Sequence, residues 1–293
     1  DFEADRETGY DTDLVTFTGS AFGRGVSEDD CTFVWSDKDG RELGRGKELS
    51  VILPIGSHAI TLTVTHDGVS ASTTKPDVVT IADGRVFVEL GATPTPPYNT
   101  KATAFTNILD AIDYAQDGMM ILVGEGTFFE KDTLKLTKRV RLVGAGPDAT
   151  VVDASKFTTA ANRTFYINNA QSILSSLTVQ KANANQYGAG IAIGTNGGTV
   201  SNCVVRNCYV GGHHGSGIAI YCNSDAGRVS HCVITNQTTG IYDNNYAGAV
   251  MMEKGRIDNS LVAYNSDPSS GYGGQITLQN SAVAENCTVV GNT

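Results

Sequence analysis

A short apolar strand recurs through the second half of the chain at intervals of 26, 29, 28 and 27 residues. The recurring position is occupied by Leu177, Cys203, Cys232, Ser260 and Cys287. A period of this length, made of strands and turns without helices, is typical of a β-solenoid. One coil cannot bury its inward face alone, so coils stack on their neighbours. The shared register predicts that the three cysteines of this column point inward and are mostly unbonded.

A second strand repeats in step with the first, in segments that begin at Gly190, Gly217, Ala249 and Gln275. The second residue of each segment is Ile or Val, and a ring side chain stands four residues before it. These ring positions are Tyr187, His214, Tyr246 and Tyr272. Rings in one register predict a column along the solenoid. The column either closes a turn or, if exposed, forms a strip that a sugar chain follows.

Asparagines form another repeated column, because the first strand of each repeat closes at Asn207, Asn236, Asn265 or Asn292. Asn tolerates a left-handed backbone better than most residues. The column therefore predicts a structural asparagine ladder at a bend. Upstream of the repeats, residues 104–116 carry apolar residues at helical spacing. We expect this helix to cover the open first coil of the solenoid.

Residues 1–83 show period-two alternation of apolar and polar residues, with turn signals such as Asp39-Gly40 and Asp67-Gly68. Several short strands at this spacing predict a β-sandwich. Asp37, Asp39 and Glu42 alternate in a way that suits calcium. A charged hairpin turn is the favoured interpretation, and calcium stays open as a cofactor.

Composition excludes some functional classes. The net charge is −10 and no basic run is present, which argues against a nucleic-acid partner. The chain has no apolar run of about 18 residues, so no membrane-spanning segment is expected. The six cysteines lack metal-binding C-x-x-C spacing, and Cys208 and Cys222 stay open as a disulfide pair.

The first domain resembles the PKD (polycystic kidney disease) family. The segments that carry the resemblance are Asp1–Asp5, Val15–Thr18, Trp35 with Asp39-Gly40, and Leu53–Thr65. The resemblance implies an extracellular spacer or adhesion module, usually without catalysis.

Residues 85–293 resemble right-handed parallel β-helix proteins of the pectate-lyase superfold. They are most similar to bacterial secreted repeat proteins with the motif Asn-Cys-Thr-Val-Val-Gly-Asn, which stands at Asn286–Asn292. The entry module at Asp110-Ala111 and Ile121–Phe128 also matches. The motif ends the chain before a second strand appears, so we expect further coils, or a second copy that covers this end in end-to-end association.

Polysaccharide hydrolysis on such a fold needs paired carboxylates, and elimination needs a base near a cation. Acidic residues stand singly after residue 160. Lys181, Arg206 and Lys254 are candidate elimination bases, and His213 with His214 forms a Gly-His-His-Gly segment. Because no pair of carboxylates is evident, we expect no strong turnover of pectate, alginate or chondroitin.

The sequence therefore predicts an all-β protein, with an Ig-like sandwich over residues 1–83 and a right-handed parallel β-helix with an N-terminal capping helix over 84–293. We expect an extracellular or cell-surface bacterial protein that binds polysaccharide. Two alternatives are a polysaccharide lyase or glycoside hydrolase with its site on the coil loops, and a self-associating structural module. No catalytic or metal site is assigned. The substrate-binding candidates are Tyr187, His213, His214, Asp243, Asn245, Tyr246 and Tyr272.

Overall fold

The computed structural model describes residues 1–157, 163–210, 219–239, 248–266 and 275–293. They divide into two compact units, Asp1–Gly84 and Arg85–Thr293. Strands dominate both units, and the described residues contain one α-helix and two short 3-10 turns, Glu28–Asp30 and Lys101–Thr103. No helix in the described part of the chain is long and apolar enough to cross a membrane.

The first unit contains eight strands. They are β1 (Phe2–Ala4), β2 (Thr8–Tyr10), β3 (Leu14–Gly19), β4 (Thr32–Asp37), β5 (Glu42–Arg45), β6 (Glu48–Ile52), β7 (Gly56–His66) and β8 (Val69–Ala82). Sheet A has the order β1-β3-β6, and sheet B has the order β2-β8-β7-β4-β5. In β3 and β4, side chains alternate along the strand, and every second one points into the core of the unit, as the sequence predicts.

Trp35 lies at the centre of the sandwich core and is fully buried. Its ring contacts Phe2 at a centroid distance of 5.3 Å and Phe17 at 5.8 Å. Its indole N–H donates to the carbonyl oxygen of Gly46 at 2.8 Å, so the polar atom of this buried ring is satisfied. The predicted sandwich is confirmed, whereas the finer PKD assignment stays a prediction.

The segment considered for calcium is a hairpin turn between β4 and β5. The Asp37 carboxylate accepts hydrogen bonds from the backbone N–H groups of Asp39 at 3.0 Å and Arg41 at 2.9 Å. Backbone hydrogen bonding lowers the pKa of Asp37 below its usual value, although desolvation opposes the effect. The turn interpretation thus accounts for the carboxylate. Across the described residues, no group of three or more His, Cys, Asp or Glu side chains is placed to hold a metal.

The second unit contains the remaining strands and the helix α1 (Ile108–Tyr114). The strands are β9 (Arg85–Val88), β10 (Met120–Val123), β11 (Gly126–Phe129), β12 (Leu134–Leu136), β13 (Arg141–Gly144), β14 (Thr150–Asp153), β15 (Phe165–Ile167), β16 (Ile173–Ser175), β17 (Thr178–Gln180), β18 (Asn183–Ala184), β19 (Ile191–Ile193), β20 (Gly198–Ser201), β21 (Val204–Arg206), β22 (Tyr209–Val210), β23 (Ile220–Cys222), β24 (Gly227–Ser230), β25 (Val233–Thr235), β26 (Thr238–Thr239), β27 (Val250–Met252), β28 (Arg256–Asp258), β29 (Leu261–Ala263), β30 (Ile276–Leu278), β31 (Val283–Glu285) and β32 (Thr288–Val290).

These strands form a parallel β-helix of four sheets, which confirms the predicted solenoid. Sheet I has the order β9-β10-β13-β16-β20-β24-β28-β31, and sheet II has the order β11-β14-β17-β21-β25-β29-β32. Sheet III has the order β12-β15-β19-β23-β27-β30, and the short sheet IV has the order β18-β22-β26. Each strand pairs with its counterpart one coil away, so every coil buries its inner face against its neighbours.

The predicted cysteine column precedes the strands of sheet II. Val204, Val233 and Thr288 are in register, and Cys203, Cys232 and Cys287 stand immediately before them. Cys203 and Cys232 are buried, Cys287 is half-buried, and all are free thiols. The predicted inward column is confirmed for the two buried residues. Cys208 and Cys222 are also buried and free, so the structure does not join them.

The asparagine ladder lies one residue away from two of the predicted positions. Asn207 and Asn236 adopt the left-handed backbone, with φ of 54° and 55°, and both are exposed. The buried ladder starts at Gln237, whose backbone N–H donates to Asn265 Oδ1 at 3.0 Å. The backbone N–H of Asn265 donates in turn to Asn292 Oδ1 at 2.9 Å. The ladder prediction was therefore wrong for Asn207 and Asn236, because the bend needs both a left-handed residue and an inward amide next to it.

Helix α1 is shorter than the predicted 104–116 segment. Asn107 caps its N-terminus by accepting from the backbone N–H of Asp110 at 2.8 Å. Phe105 lies upstream in an extended bridge with Val88 and is not helical. Buried Glu130 accepts from the backbone N–H of Ile108 at 2.9 Å, so a carboxylate satisfies one of the free donors of the first turn. Helix packing against the first coils covers the core, as the sequence predicts.

Candidate functional site

The outer face of sheet III carries a row of side chains in one register. Lys135 pairs with Tyr166, which pairs with Ala192, and Ala192 pairs with Tyr221. The flanking residues in these strands are buried, so alternation directs Lys135, Tyr166 and Tyr221 outward. Two tyrosines and a lysine therefore stand on the same surface, within three coils of one another.

Tyr187 joins this row from the segment that precedes β19. Its ring stacks on Tyr221 with centroids 5.1 Å apart and an interplanar angle of 23°. Gly188 follows with φ of +67°, and a Cβ there would lie 2.9 Å from the Cβ of Tyr221. A residue without a side chain is therefore required for this close approach. The stack depends on the local sequence Tyr187-Gly188.

Arg163 links the two parts of the face. Its Nε donates to the backbone carbonyl oxygen of Tyr187 at 2.7 Å. Its guanidinium carbon lies 5.9 Å from the ring centroid of Tyr166, within the range of a cation–π contact. Burial lowers the pKa of Arg163 from its usual value, but an arginine stays charged at neutral pH. A positive charge is thus fixed between the tyrosines.

A pocket of about 160 Å³ opens beside this guanidinium. Its lining residues are Thr133, Lys135, Arg163, Tyr166 and Gln186. The lining combines two cations, a hydroxyl, an amide and an aromatic ring, which together supply donors and an apolar surface. Such a mixture suits a small polar ring with an acidic substituent. We call the set Lys135, Arg163, Tyr166, Tyr187 and Tyr221 the tyrosine face.

Glu253 is the carboxylate that contacts this face. Burial raises the pKa of Tyr221, and a hydrogen bond to Glu253 raises it further. The phenol therefore stays protonated at neutral pH. Asn223 acts on this pKa in the opposite direction. Both side chains lie near Tyr221, which is the ring that receives Tyr187.

The candidate elimination bases lie elsewhere, and each has a partner. The Lys181 ammonium is 2.9 Å from Asp153 Oδ2, and Arg206 Nε donates to Gln180 Oε1 at 3.0 Å. Lys254 lies 3.5 Å from Asp225. Each of these cations therefore already contacts a neighbouring polar or acidic side chain. The positions of Lys181 and Arg206 are explained by contacts with side chains of neighbouring coils, and a substrate site is not needed to account for them.

Asp153 is the buried centre of that cluster, with 1% of its side chain exposed. Burial alone would raise the pKa of Asp153. Hydrogen bonds from Ser155, Lys181 and Gln180 outweigh burial and lower the pKa to about 2. The carboxylate is therefore ionised throughout the physiological range and acts as a structural anion.

The sequence-based site falls mainly outside the described residues. Tyr187 is described and belongs to the tyrosine face. The other candidates lie outside the described part of the chain: His213, His214, Asp243, Asn245, Tyr246 and Tyr272. Their contribution stays a prediction.

The alignment behind the aromatic column was wrong in one coil. The sequence pairs Ile191 with Ile218, whereas the structure pairs Ile191 with Ile220 and Ala192 with Tyr221. The position of His214 itself lies outside the described residues. The alignment also missed Tyr221, which the corrected register places on the outer face. Arg163 and Glu253 gave no sequence signal, because their contacts connect different coils.

Comparisons with known proteins gave one structural similarity. No family model matches, and no curated protein matches. Among solved structures, the chain is similar to a family 28 exopolygalacturonase from Yersinia enterocolitica, at 11% identity over 97% of this chain and 98% of that chain. The TM-score of 0.22 is too low for this similarity to support an argument.

Proposed function

We propose that the β-helix unit binds an extracellular polysaccharide on the tyrosine face. The observation that carries the proposal is the Tyr187–Tyr221 stack, which the Arg163 side chain holds in place. Stacked rings on a rigid sheet form a preorganised platform, so little side-chain entropy is lost when a ligand binds. A repeating ligand matches a surface that extends over successive coils.

The charges of the face favour an anionic polysaccharide. Lys135 and Arg163 line one pocket, and no acidic residue is part of its lining among the described residues. The Nε of Arg163 is used by Tyr187, and among the described residues no hydrogen bond engages the terminal guanidinium N–H groups, which suit a ligand carboxylate. Charge-assisted hydrogen bonds of this kind are roughly twice as strong as neutral ones. A uronic acid residue fits this chemistry better than a neutral sugar.

Binding is favoured over cleavage, because the side chains that could act as a base are already engaged or keep their proton. Lys181 and Arg206 are engaged by Asp153 and Gln180, and Tyr221 keeps its proton. None of the three is therefore poised to remove a proton from a substrate. We assign the sandwich unit a spacer role and the whole protein a secreted or cell-surface setting, where such polysaccharides occur.

Affinity electrophoresis tests the proposal. The full chain would be run through gels that contain polygalacturonate, alginate or neutral dextran. We expect retardation by at least one anionic polymer and none by dextran. Arg163→Gln should abolish the retardation, whereas Lys156→Gln, a matched change at an exposed lysine outside the face, should preserve it. Equal retardation of both variants, or no retardation by either anionic polymer, would contradict the proposal.

Cleavage is tested separately with the same polymers. A reducing-sugar assay detects hydrolysis, and ultraviolet absorbance of unsaturated products detects elimination. We expect neither signal to exceed that of a buffer control. Robust turnover that Tyr221→Phe abolishes would replace the binding function with an enzymatic one, since that change removes only the hydroxyl and keeps the stacked ring.

A further inference from the structure

The first unit contains an apolar groove that the polysaccharide function does not use. The groove has a volume of about 460 Å³. Its apolar lining includes Phe22, Val26, Leu62, Val64, Val69 and Ala71. Leu62 is buried at the floor, whereas Phe22 is 86% exposed and Val69 is 74% exposed. Large apolar side chains this exposed beside a concave surface are typical of an interaction site.

One wall of the groove is a free strand edge. Residues 69–74 of β8 pair with β7 on one side, and β2 pairs with β8 only at Thr80–Ala82. Among the described residues, no strand pairs with the other edge of 69–74. The backbone N–H and C=O groups on this edge are therefore available to an added strand.

The two faces of this edge differ in chemistry. On the groove side, Val69 and Ala71 pair with His66 and Val64. On the opposite side, hydroxyl pairs such as Thr63 with Ser72, at 2.9 Å, cover the strand. An added strand would thus place every second side chain in an apolar groove and the others beside a hydroxyl-covered surface. Strand addition selects ligands by this alternation.

Charge decides which partner fits the groove. Residues 1–84 contain 16 Asp and Glu against 7 Lys and Arg, so this unit carries −9 of the net charge of −10. Asp1 and Asp67 belong to the groove lining, and their side chains are 64% and 90% exposed. Like charges across an interface are unfavourable, so a second copy of this acidic unit is a poor occupant. A basic segment is complementary.

We propose that the groove beside residues 69–74 binds an extended segment of another polypeptide, in which apolar residues alternate with Lys or Arg. The segment adds as a strand to the free edge of β8. Its apolar side chains fill the space above Leu62, and its basic side chains lie beside Asp67, since the Asp1 carboxylate is already paired with Lys75 at 3.0 Å. The first unit is then a protein-docking module as well as a spacer.

Fluorescence anisotropy with labelled peptides tests the proposal on the full chain. The probe is Lys-Val-Lys-Val-Lys-Val-Lys, with Glu-Val-Glu-Val-Glu-Val-Glu as the charge control. Lys-Val-Lys-Pro-Lys-Val-Lys has a central proline and serves as the strand control, because proline lacks the N–H that a strand partner needs. We expect the first peptide to bind at least tenfold more tightly than either control.

Two matched variants locate the site. Ala71→Arg fills the groove and adds positive charge, whereas Ser72→Arg adds the same charge on the opposite face of the strand. We expect Ala71→Arg to weaken peptide binding at least tenfold and Ser72→Arg to change it less than threefold, with both thermal unfolding midpoints near that of the parent chain.

Several outcomes would overturn the proposal. Equal weakening by the two variants would indicate general attraction to an acidic protein, as would equal binding of the proline peptide. A dissociation constant of about 1 mM corresponds to a binding free energy of only about −4 kcal/mol. If the peptide does not bind even at this concentration, the groove is not a peptide-binding site. Concentration-dependent dimerisation that Ala71→Arg abolishes would assign the groove to a second copy.

Discussion

The ring of Tyr187 lies nearly parallel to the ring of Tyr221, with centroids 5.1 Å apart, although one belongs to a loop and the other to β23. The loop ring depends on the strand ring for its position. Glu253 lies near the hydroxyl of the strand ring and raises its pKa. A surface formed in this way presents two aromatic rings as one unit.

Removal of the strand ring should therefore disrupt the whole platform. We expect Tyr221→Ala to weaken binding of the retained polysaccharide about two- to tenfold, since a stacked aromatic pair contributes about 0.5–1.5 kcal/mol beyond the area it buries. Isothermal titration calorimetry of the full chain measures the change. Tyr209→Ala is the matched control, because Tyr209 is partly exposed on sheet IV, away from the face. A larger loss from Tyr209→Ala would contradict the assignment.

The sequence predicts some parts of the solenoid well and others poorly, for a physical reason. In sheet II, an inward cysteine precedes Val204 and Val233, which fixes the coil register. In sheet III, a slip of two residues keeps the same faces inward, because side chains alternate with period two. The choice between Ile218 and Ile220 as partner of Ile191 was therefore not decided by the apolar pattern.

The candidate site was predictable to a smaller extent. Tyr187 stands out in the sequence as one ring of a repeated column. Arg163 and Glu253 become recognisable only when coils stack, because their partners Tyr187 and Tyr221 belong to other segments. Local patterns contain no information on such contacts.

Acid stability should depend on Asp153. Its folded pKa of about 2 lies below the usual aspartate value of 3.8, so its stabilising contribution is fully present above about pH 4 and is lost as the pH falls towards 2. The shift corresponds to about 2 kcal/mol. Asp153→Asn should lower the free energy of unfolding at pH 7 and flatten its decline between pH 4 and 2, as measured by urea denaturation.

Asp148→Asn is the control for Asp153→Asn, because it removes an exposed carboxylate from the same unit. We expect the free energy of unfolding of Asp148→Asn to equal that of the parent chain both at pH 7 and between pH 4 and 2. If the free energy of unfolding of Asp153→Asn falls between pH 4 and 2 as steeply as that of the parent chain, the ion pair with Lys181 does not contribute to stability.

The corrected amide ladder makes a prediction that separates neighbouring residues. Asn265 is buried and its Nδ2 donates to the carbonyl oxygen of Ile234 at 3.2 Å, while its Oδ1 accepts from Gln237. Asn265→Ala would leave both backbone groups unsatisfied, so we expect a loss of about 2–4 kcal/mol. Asn236→Gly should change stability by less than about 1 kcal/mol, because glycine adopts the left-handed backbone of this exposed position. Equal losses in the two variants would restore the ladder that the sequence alone predicts.

Thiol reactivity tests the solenoid core. Burial raises the pKa of Cys208 to about 12 and the pKa values of Cys222 and Cys232 to about 11, so these thiols hold almost no reactive thiolate at pH 8. Cys31 and Cys287 are half-buried and remain accessible. We expect a thiol-specific chromogenic disulfide reagent to label at most two of the six cysteines in the folded chain and all six in denaturant. Rapid labelling of more than two thiols without denaturant would contradict the inward column, and only four in denaturant would indicate a disulfide.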